Sequence, residues 1–239
     1  MEERILEEEV VDSYFKKSGE ELPAEEPEGS RELRPLPPFI VSGGRNTERF
    51  YFMHISNLTE YKFRIVPEYF GNESNYFEVF PERIKRIIDN DEDARVFCVF
   101  DWETVRDNET NERKHKTFMD LLKNSIDSGR IKICPSMPCF EYWLLLHFEN
   151  VTTLFRSYSD VASRLAPYIK ACFPRSGASL KKLLKREKYL LDSAWVKNLI
   201  GEGRLQNAIS RAKGNIALAL ARGTLEEESY SYVYEVFES

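Results

Sequence analysis

Four acidic side chains follow apolar segments of the chain, where they could act together on one substrate. Asp101 and Glu103 end the apolar run 95–100 as Asp-x-Glu, and Glu48 and Glu141 follow two other apolar runs. Carboxylate oxygens are the ligands that Mg²⁺ and Mn²⁺ prefer, and such ions can orient a phosphodiester for in-line displacement. We therefore treat all four as candidate metal ligands, and Glu48, Asp101 and Glu141 as candidate catalytic residues.

Glu141 has the most unusual sequence surroundings of the four acids. It is the only charged residue between Lys132 and Glu149, and aromatic and aliphatic residues surround it. A carboxylate in apolar surroundings must be paired, metal-bound or protonated, so a structural pairing with an arginine remains an alternative to function. Ser136 is predicted to cap the helix that carries Glu141, with Pro138 tolerated in its first turn.

The elements that position these acids alternate between strand and helix four times. This pattern predicts an α/β fold with a mainly parallel sheet, helices on both of its faces and a helical C-terminal appendage. Residues 104–116 are polar and are predicted to form a surface loop. The strands are predicted at 38–42, 61–66, 95–100 and 130–134, and the helices at 46–58, 76–89, 116–128 and from 136 onward, with further helices at 158–171, 180–200 and 206–221. Residues 229–237 fit either a helix or a closing strand.

Parallel strands bind ligands at their carboxyl ends, so this fold would bring the four acids to one edge of the sheet. Each has a structural alternative. Glu48 could only complement a helix dipole, and Asp101 could only form a turn or cap a helix. His147 is more typical of a hydrogen-bonded core histidine than of a catalytic one.

Charge is segregated along the chain. Residues 1–32 carry 12 acidic and 4 basic side chains, whereas residues 151–222 carry 4 acidic and 14 basic ones. A basic segment of this strength indicates a nucleic-acid partner, although a solvated helix face would also fit. The predicted nucleic-acid contacts are Arg45, Arg49, Lys181, Lys182, Lys185, Arg186 and Lys188.

Composition limits the remaining possibilities. No run of about 18 apolar residues exists, and the acidic start is unlike a signal peptide, so we expect a cytoplasmic protein without a membrane span. The 4 cysteines lack paired spacing and are expected to be buried, reduced thiols. We predict a flexible acidic leader over 1–35, an α/β domain over 36–150 and a basic helical region with a short acidic tail over 151–239. The leader is either a solvated tail or an arm that docks on a partner or covers the basic segment.

Three stretches resemble one known family. Residues 136–149, SMPCFEYWLLLHFE, are similar to the signature of RloB-like proteins. Residues 39–52, FIVSGGRNTERFYF, resemble the family's first motif, and residues 96–103, VFCVFDWE, resemble its strand ending in Asp-x-Asp. The likeness extends through residue 238.

The resemblance implies an antiphage or abortive-infection protein with a Toprim-like fold, encoded beside an ATPase that could be its partner. It also implies Mg²⁺-dependent cleavage of DNA or RNA, and a homo-oligomer is possible. Two residues depart from the family: Gly43 stands where the first motif has a glutamate, and Glu103 stands where Asp-x-Asp has its second aspartate. The loss of the glutamate weakens the case for an enzyme, and three explanations stay open. Glu48 or Glu103 could substitute for it, the site could act only with a partner, or the chain could be a degenerate, non-catalytic subunit that binds nucleic acid or the ATPase.

Overall fold

The computed structural model of the protein describes residues 36–44, 46–66, 76–174 and 176–238. The predicted acidic leader and Arg45 lie outside these residues. The predicted α/β fold with a C-terminal helical region is confirmed. The strands are β1 (Phe39–Ser42), β2 (Arg64–Val66), β3 (Val96–Asp101), β4 (Ile131–Met137) and β5 (Tyr230–Ser231). The helices are α1 (Thr47–Leu58), α2 (Tyr76–Asn90), α3 (Trp102–Arg106), α4 (Glu109–Asp127), α5 (Phe140–Leu146), α6 (Tyr158–Cys172), α7 (Leu180–Lys185), α8 (Glu187–Leu190), α9 (Ala194–Ile200) and α10 (Arg204–Arg222).

The strands form one sheet in the order β2-β1-β3-β4-β5. The first four run parallel, with Ser42 opposite Val99 and Asp101 opposite Ser136. β5 is antiparallel to β4 and leads into a 3₁₀ helix, Tyr232–Phe237, so the C-terminal segment is both a closing strand and a helix. β1, β3 and β4 therefore end at the same edge of the sheet, as the candidate site requires.

Both faces of the sheet are buried, which explains its continuously apolar strands. Successive residues of a strand point to opposite faces, so Ile40 and Phe97 join one core cluster while Val41 and Cys98 join another. Helices α1 and α5 and the C-terminal helices cover the first face, and α2 and α4 cover the second. The C-terminal helices thus share a core with the sheet.

The predicted loop over 104–116 is wrong. It contains helix α3 and the first two turns of helix α4. The Asn108 side chain caps α4 by accepting a hydrogen bond from the Asn111 N–H at 2.9 Å. The start of α4 was missed because it is entirely polar: the buried residues of the helix, Phe118 and Leu122, lie in the part that was predicted as helix.

Two further predictions near the site need correction. Ser136 does not cap α5, because β4 extends through it and its hydroxyl bonds that of Ser231 at 2.7 Å. The single helix predicted over 180–200 is instead α7, α8 and α9. It breaks at Arg186, whose φ of −113° and ψ of 120° are extended rather than helical.

All four cysteines are free and buried, as predicted. Within the described ranges, no helix has both the length and the apolar character needed to cross a membrane.

Candidate active site

Glu48 lies in the first turn of helix α1, and its side chain fills a space that Gly44 leaves open. It is only 3% exposed, and its carboxylate folds back over Gly44. A Cβ built on Gly44 would lie 1.6 Å from Glu48 Oε2, so only glycine leaves room for the carboxylate in this position. Glycine at position 44 therefore makes room for the Glu48 carboxylate, which is a different role from that of a glycine in a phosphate-binding loop.

Glu141 lies in the first turn of helix α5, every residue of which is buried. Its carboxylate is 1% exposed and meets the ammonium of Lys185, with Nζ and Oε1 2.8 Å apart. The contact is an ion pair without good hydrogen-bond geometry, and Oε1 has no other partner among the described residues. The expected pairing of Glu141 with a cation is thus present, but the cation is a lysine rather than an arginine.

Asp101 connects the end of β3 to the start of α5. Its Oδ1 accepts a hydrogen bond from the Phe140 N–H at 2.8 Å, so it does act as a helix cap. Burial raises the pKa of Asp101 well above its usual value, and the nearby charges of Glu48 and Glu141 raise it further. Asp101 therefore has two roles: it accepts the hydrogen bond from the start of α5, and its carboxyl group interacts electrostatically with Glu48 and Glu141.

Glu48, Asp101, Glu141 and Lys185 form what we call the acid cluster. Burial raises the pKa of Glu48, Lys185 lowers it, and Glu141 raises it again. Burial disfavours the charged form of Lys185, but Glu141 and Glu48 outweigh this effect and raise its pKa. The Lys185 ammonium thus lies among three buried carboxyl groups, and burial together with mutual repulsion favours the protonated forms of Glu48 and Asp101.

The backbone next to Lys185 is fastened to the start of helix α1. The Asn46 side-chain amide donates to the Lys185 carbonyl at 2.8 Å, and the Thr47 hydroxyl donates to the Leu184 carbonyl at 2.6 Å. These bonds join the helix that carries Glu48 to the end of helix α7. They fix the position from which the Lys185 side chain reaches Glu141.

Glu103 lies at the border of the acid cluster. Its Oε2 accepts a hydrogen bond from the Tyr158 N–H at 3.1 Å, and the Lys185 ammonium lies 5.6 Å from the centre of the Tyr158 ring. Burial raises the pKa of Glu103, the bond from Tyr158 lowers it, and Glu141 raises it. Glu103 is therefore electrostatically connected to Glu141 but directed toward the surface.

The family model described as RloB-like protein matches residues 38–239. The chain belongs to the RloB-like protein family. Comparison with curated proteins and with solved structures found no match. The three stretches that carry the resemblance hold Glu48, Asp101, Glu103 and Glu141, and three of these acids are in the acid cluster while Glu103 adjoins it.

Gly43, where the family motif has a glutamate, lies just beyond β1. Its N–H donates to the Val99 carbonyl at 2.9 Å and so continues the pairing of β1 with β3. Because residue 43 is a glycine, it supplies no carboxylate to the acid cluster. Lys185, in contrast, is a charged member of the cluster in this family member.

The fit to a divalent cation can be judged from the acids themselves. Carboxylate oxygens suit Mg²⁺ or Mn²⁺, and Glu48 Oε2 is a buried oxygen without a hydrogen bond among the described residues. However, no three acidic, histidine or cysteine side chains in this part of the chain are grouped as in a metal centre, and Lys185 occupies one side of Glu141. The residues therefore suit such an ion in ligand type, while the described arrangement places the Lys185 ammonium beside Glu141 rather than three ligands around one point.

The predicted nucleic-acid contacts divide into two groups. Lys185 joins the acid cluster, although its side chain stays 42% exposed. Its neighbours Lys181, Lys182, Arg186 and Lys188 are exposed around it. Arg49 is half-buried, with its guanidinium 5.4 Å from the centre of the Phe50 ring, and no contact places it with the acids.

The sequence did not indicate that Lys185 pairs with Glu141, but it did favour a structural, hydrogen-bonded role for His147. Lys185 was assigned only to nucleic-acid binding, because nothing in the sequence connects it to Glu141. His147 is a buried core residue: its Nε2 lies 3.2 Å from the Tyr51 hydroxyl and its Nδ1 3.1 Å from the Trp143 carbonyl. The alternation of helix and strand predicted which acids meet, but not their counter-ion.

Proposed function

We propose that this protein cleaves phosphodiester bonds in nucleic acid with the help of Mg²⁺ or Mn²⁺, as the effector of an antiphage system. The observation that carries the proposal is the acid cluster. Three buried carboxyl groups lie together near the edge where parallel strands end, with the ammonium of Lys185 among them. Neighbouring acids whose pKa is raised by burial and by one another are typical of a site for a cation or a reaction.

A divalent ion, when bound, would be held by carboxylate oxygens of Glu48, Asp101 and Glu141, with Glu103 as a further candidate ligand, and would supply an activated water and polarise the phosphate. The chain's own groups divide the remaining work. Lys185 presents an ammonium beside Glu141 that can bond a non-bridging phosphate oxygen. Asp101, whose pKa is raised by burial, is suited to accept and hold a proton.

The surface around the cluster suits a polyanion. Four exposed basic side chains lie on helices α7 and α8 or between them, close in sequence to Lys185: Lys181, Lys182, Arg186 and Lys188. Phosphates held there would lie beside the acids, since only a few residues separate these contacts from Lys185. The basic segment therefore supports nucleic acid as the substrate.

A specific observation favours a second function, that of a non-catalytic subunit which binds nucleic acid or a partner ATPase. Lys185 already neutralises Glu141, and Gly43 removes one carboxylate of the family motif. With Glu141 paired to Lys185, the site could keep its fold and its side-chain contacts without catalysing a reaction. The two functions differ in whether Asp101 and Glu141 are needed for cleavage.

The test is cleavage of single- and double-stranded DNA and RNA, tRNA included, by the full chain with Mg²⁺ or Mn²⁺. Wild type is compared with Asp101→Asn and Glu141→Gln, which keep the shape of each side chain but remove its charge, and with the surface control Glu109→Gln. We expect both cluster substitutions to lower the rate at least about 100-fold and the control to leave it unchanged. Cleavage that survives both substitutions would establish that the acid cluster is not the active site.

A partner ATPase and self-association belong to the same proposal. If the ATPase licenses cleavage, the wild-type chain is active only in its presence, and Asp101→Asn is inactive with or without it. Cleavage assays on the co-purified complex therefore accompany those on the isolated chain.

A further inference from the structure

A polar groove of about 740 Å³ opens at the edge of the sheet beside Glu103. Its walls include Arg106 at the end of helix α3, Arg156 just before helix α6, and Met137 at the end of β4. Glu103 belongs both to this groove and to the border of the acid cluster, through its bond from the Tyr158 N–H. The groove is therefore continuous with the candidate active site.

The two arginines of the groove are available for a ligand. Arg156 is exposed, and within the described residues its guanidinium has no ion pair. Arg106 has one loose pair, 3.8 Å from Glu226, in which the two side chains are 48% and 88% exposed. Exposed pairs of this kind contribute roughly 0–1 kcal/mol, so a phosphate can replace the carboxylate of Glu226 at little cost.

The other acids of the groove do not oppose a phosphate equally. Asp107 accepts a hydrogen bond from the Asn108 side-chain amide at 2.9 Å, which engages one of its two oxygens and leaves its charge in place. The Glu226 side chain is 88% exposed and can turn toward water. A ligand with both phosphates and donor groups, such as the amino groups of bases, matches this mixture of two guanidiniums and nearby carboxylates.

We propose that the groove binds the phosphates of a single nucleic-acid strand next to the acid cluster, through Arg106 and Arg156. The inference rests on the proposed function, since it names the path of that function's substrate. The strand would run from the basic surface of α7 and α8, past Lys185, and into the groove beyond Glu103. The groove's volume is that of a small-ligand pocket, so it accepts part of one strand rather than a duplex.

The test measures binding of a fluorescent single strand of about 12 nucleotides, as DNA and as RNA, to the full chain in EDTA, so that cleavage does not interfere. The double variant Arg106→Gln/Arg156→Gln is compared with Arg86→Gln/Arg113→Gln, which removes two exposed arginines from helices α2 and α4. We expect the groove variant to bind about tenfold more weakly, and the slope of log K against log salt to fall by about 1.4, because two phosphate contacts are lost. The control should stay within about twofold of wild type.

Equal affinity and equal salt slope for the two double variants would overturn the groove proposal. Should the double variant fail to fold, each single variant is expected to show about half the change in slope. In Mg²⁺, the groove variant should raise KM with kcat nearly unchanged, because these arginines do not touch the reacting atoms. Binding in EDTA is decided separately from cleavage, so failure of the nuclease proposal and failure of the groove are distinguishable.

Discussion

Glu141 and His147 are two buried polar residues of the same short motif, but their surroundings differ. Each is only 1% exposed, and both belong to the stretch around helix α5. The ring of His147 is bonded at both nitrogens, by the Tyr51 hydroxyl and by the Trp143 carbonyl. Glu141 meets a single ammonium from a distant helix and has other acids around it.

The difference lies in the charges that surround each residue rather than in how deeply it is buried. Burial lowers the pKa of His147 to about 3, so the ring stays neutral and its hydrogen bonds are complete at physiological pH. Around Glu141, burial raises the pKa of Glu48 and of Asp101, and the charge of Glu141 raises both further. A neutral, hydrogen-bonded group stabilises the fold, whereas neighbouring acids with raised pKa values mark a place where a cation or substrate can bind.

The largest expected effect comes from removing the charge that balances Glu141. Lys185→Met should lower the cleavage rate at least about 100-fold, because the ammonium can no longer stabilise charge on the phosphate. Single-turnover cleavage with saturating substrate measures this loss. The matched control is Lys197→Met, an exposed lysine of helix α9 that is not among the predicted nucleic-acid contacts.

Equal activity of the two lysine variants would contradict the assigned role of Lys185. Faster cleavage by Lys185→Met would also contradict it, and would show instead that the lysine blocks the site.

His147→Ala should affect stability rather than activity. The substitution leaves a cavity and removes the partner of the buried Tyr51 hydroxyl, so we expect a loss of about 2–4 kcal/mol in the free energy of unfolding. Urea denaturation measures it. Cleavage per folded molecule should stay within about threefold of wild type, and a loss comparable with that of Glu141→Gln would end the contrast between the two residues.

Gly44→Ala should disturb the acid cluster with little effect on folding. The new Cβ would displace the carboxylate of Glu48, which lies 1.6 Å from its position, but a side-chain end can move without unfolding the helix. We expect the cleavage rate to fall about tenfold. The control is Gly214→Ala in helix α10, where no atom lies within 4 Å of the new Cβ; it should raise stability slightly.

The smallest expected effect is on the pH dependence of stability. The pKa of Asp101 is raised in the folded protein, so its contribution to stability is present below its ordinary value of 3.8 and is lost as pH rises through the folded pKa. Asp101→Asn should lose less stability over that rise than wild type does. Thermal unfolding measured at several pH values tests this, and parallel curves for the two proteins would contradict the raised pKa.

The sequence pattern predicted the positions of three acids because the fold follows from local physics. Continuously apolar strands such as β3 require a sheet covered on both faces, and parallel strands end at one edge, where Asp101 lies. Glu141 stood out because a lone charge in an apolar helix needs a partner. These inferences depend on residues close together in the chain.

Features that depend on distant contacts could not be predicted in the same way. Lys185 is far from Glu141 in sequence, and its position is fixed by bonds from Asn46 and Thr47 to the end of helix α7. Ser136 looked like a helix cap because its partner, Ser231, is near the other end of the chain. The polar start of helix α4 carries no apolar periodicity, so it resembled a loop.

The central claim, that the acid cluster is a cation site, is tested most directly by calorimetric titration with Mn²⁺ near neutral pH. Wild type, Asp101→Asn and His147→Ala are titrated in two buffers of different ionisation heat. The account predicts that wild type and His147→Ala bind Mn²⁺ with similar affinity and release protons, because carboxyl groups with raised pKa lose them to the ion. Asp101→Asn should bind at least about tenfold more weakly. No binding to wild type, or equal affinity for wild type and Asp101→Asn, would contradict the account.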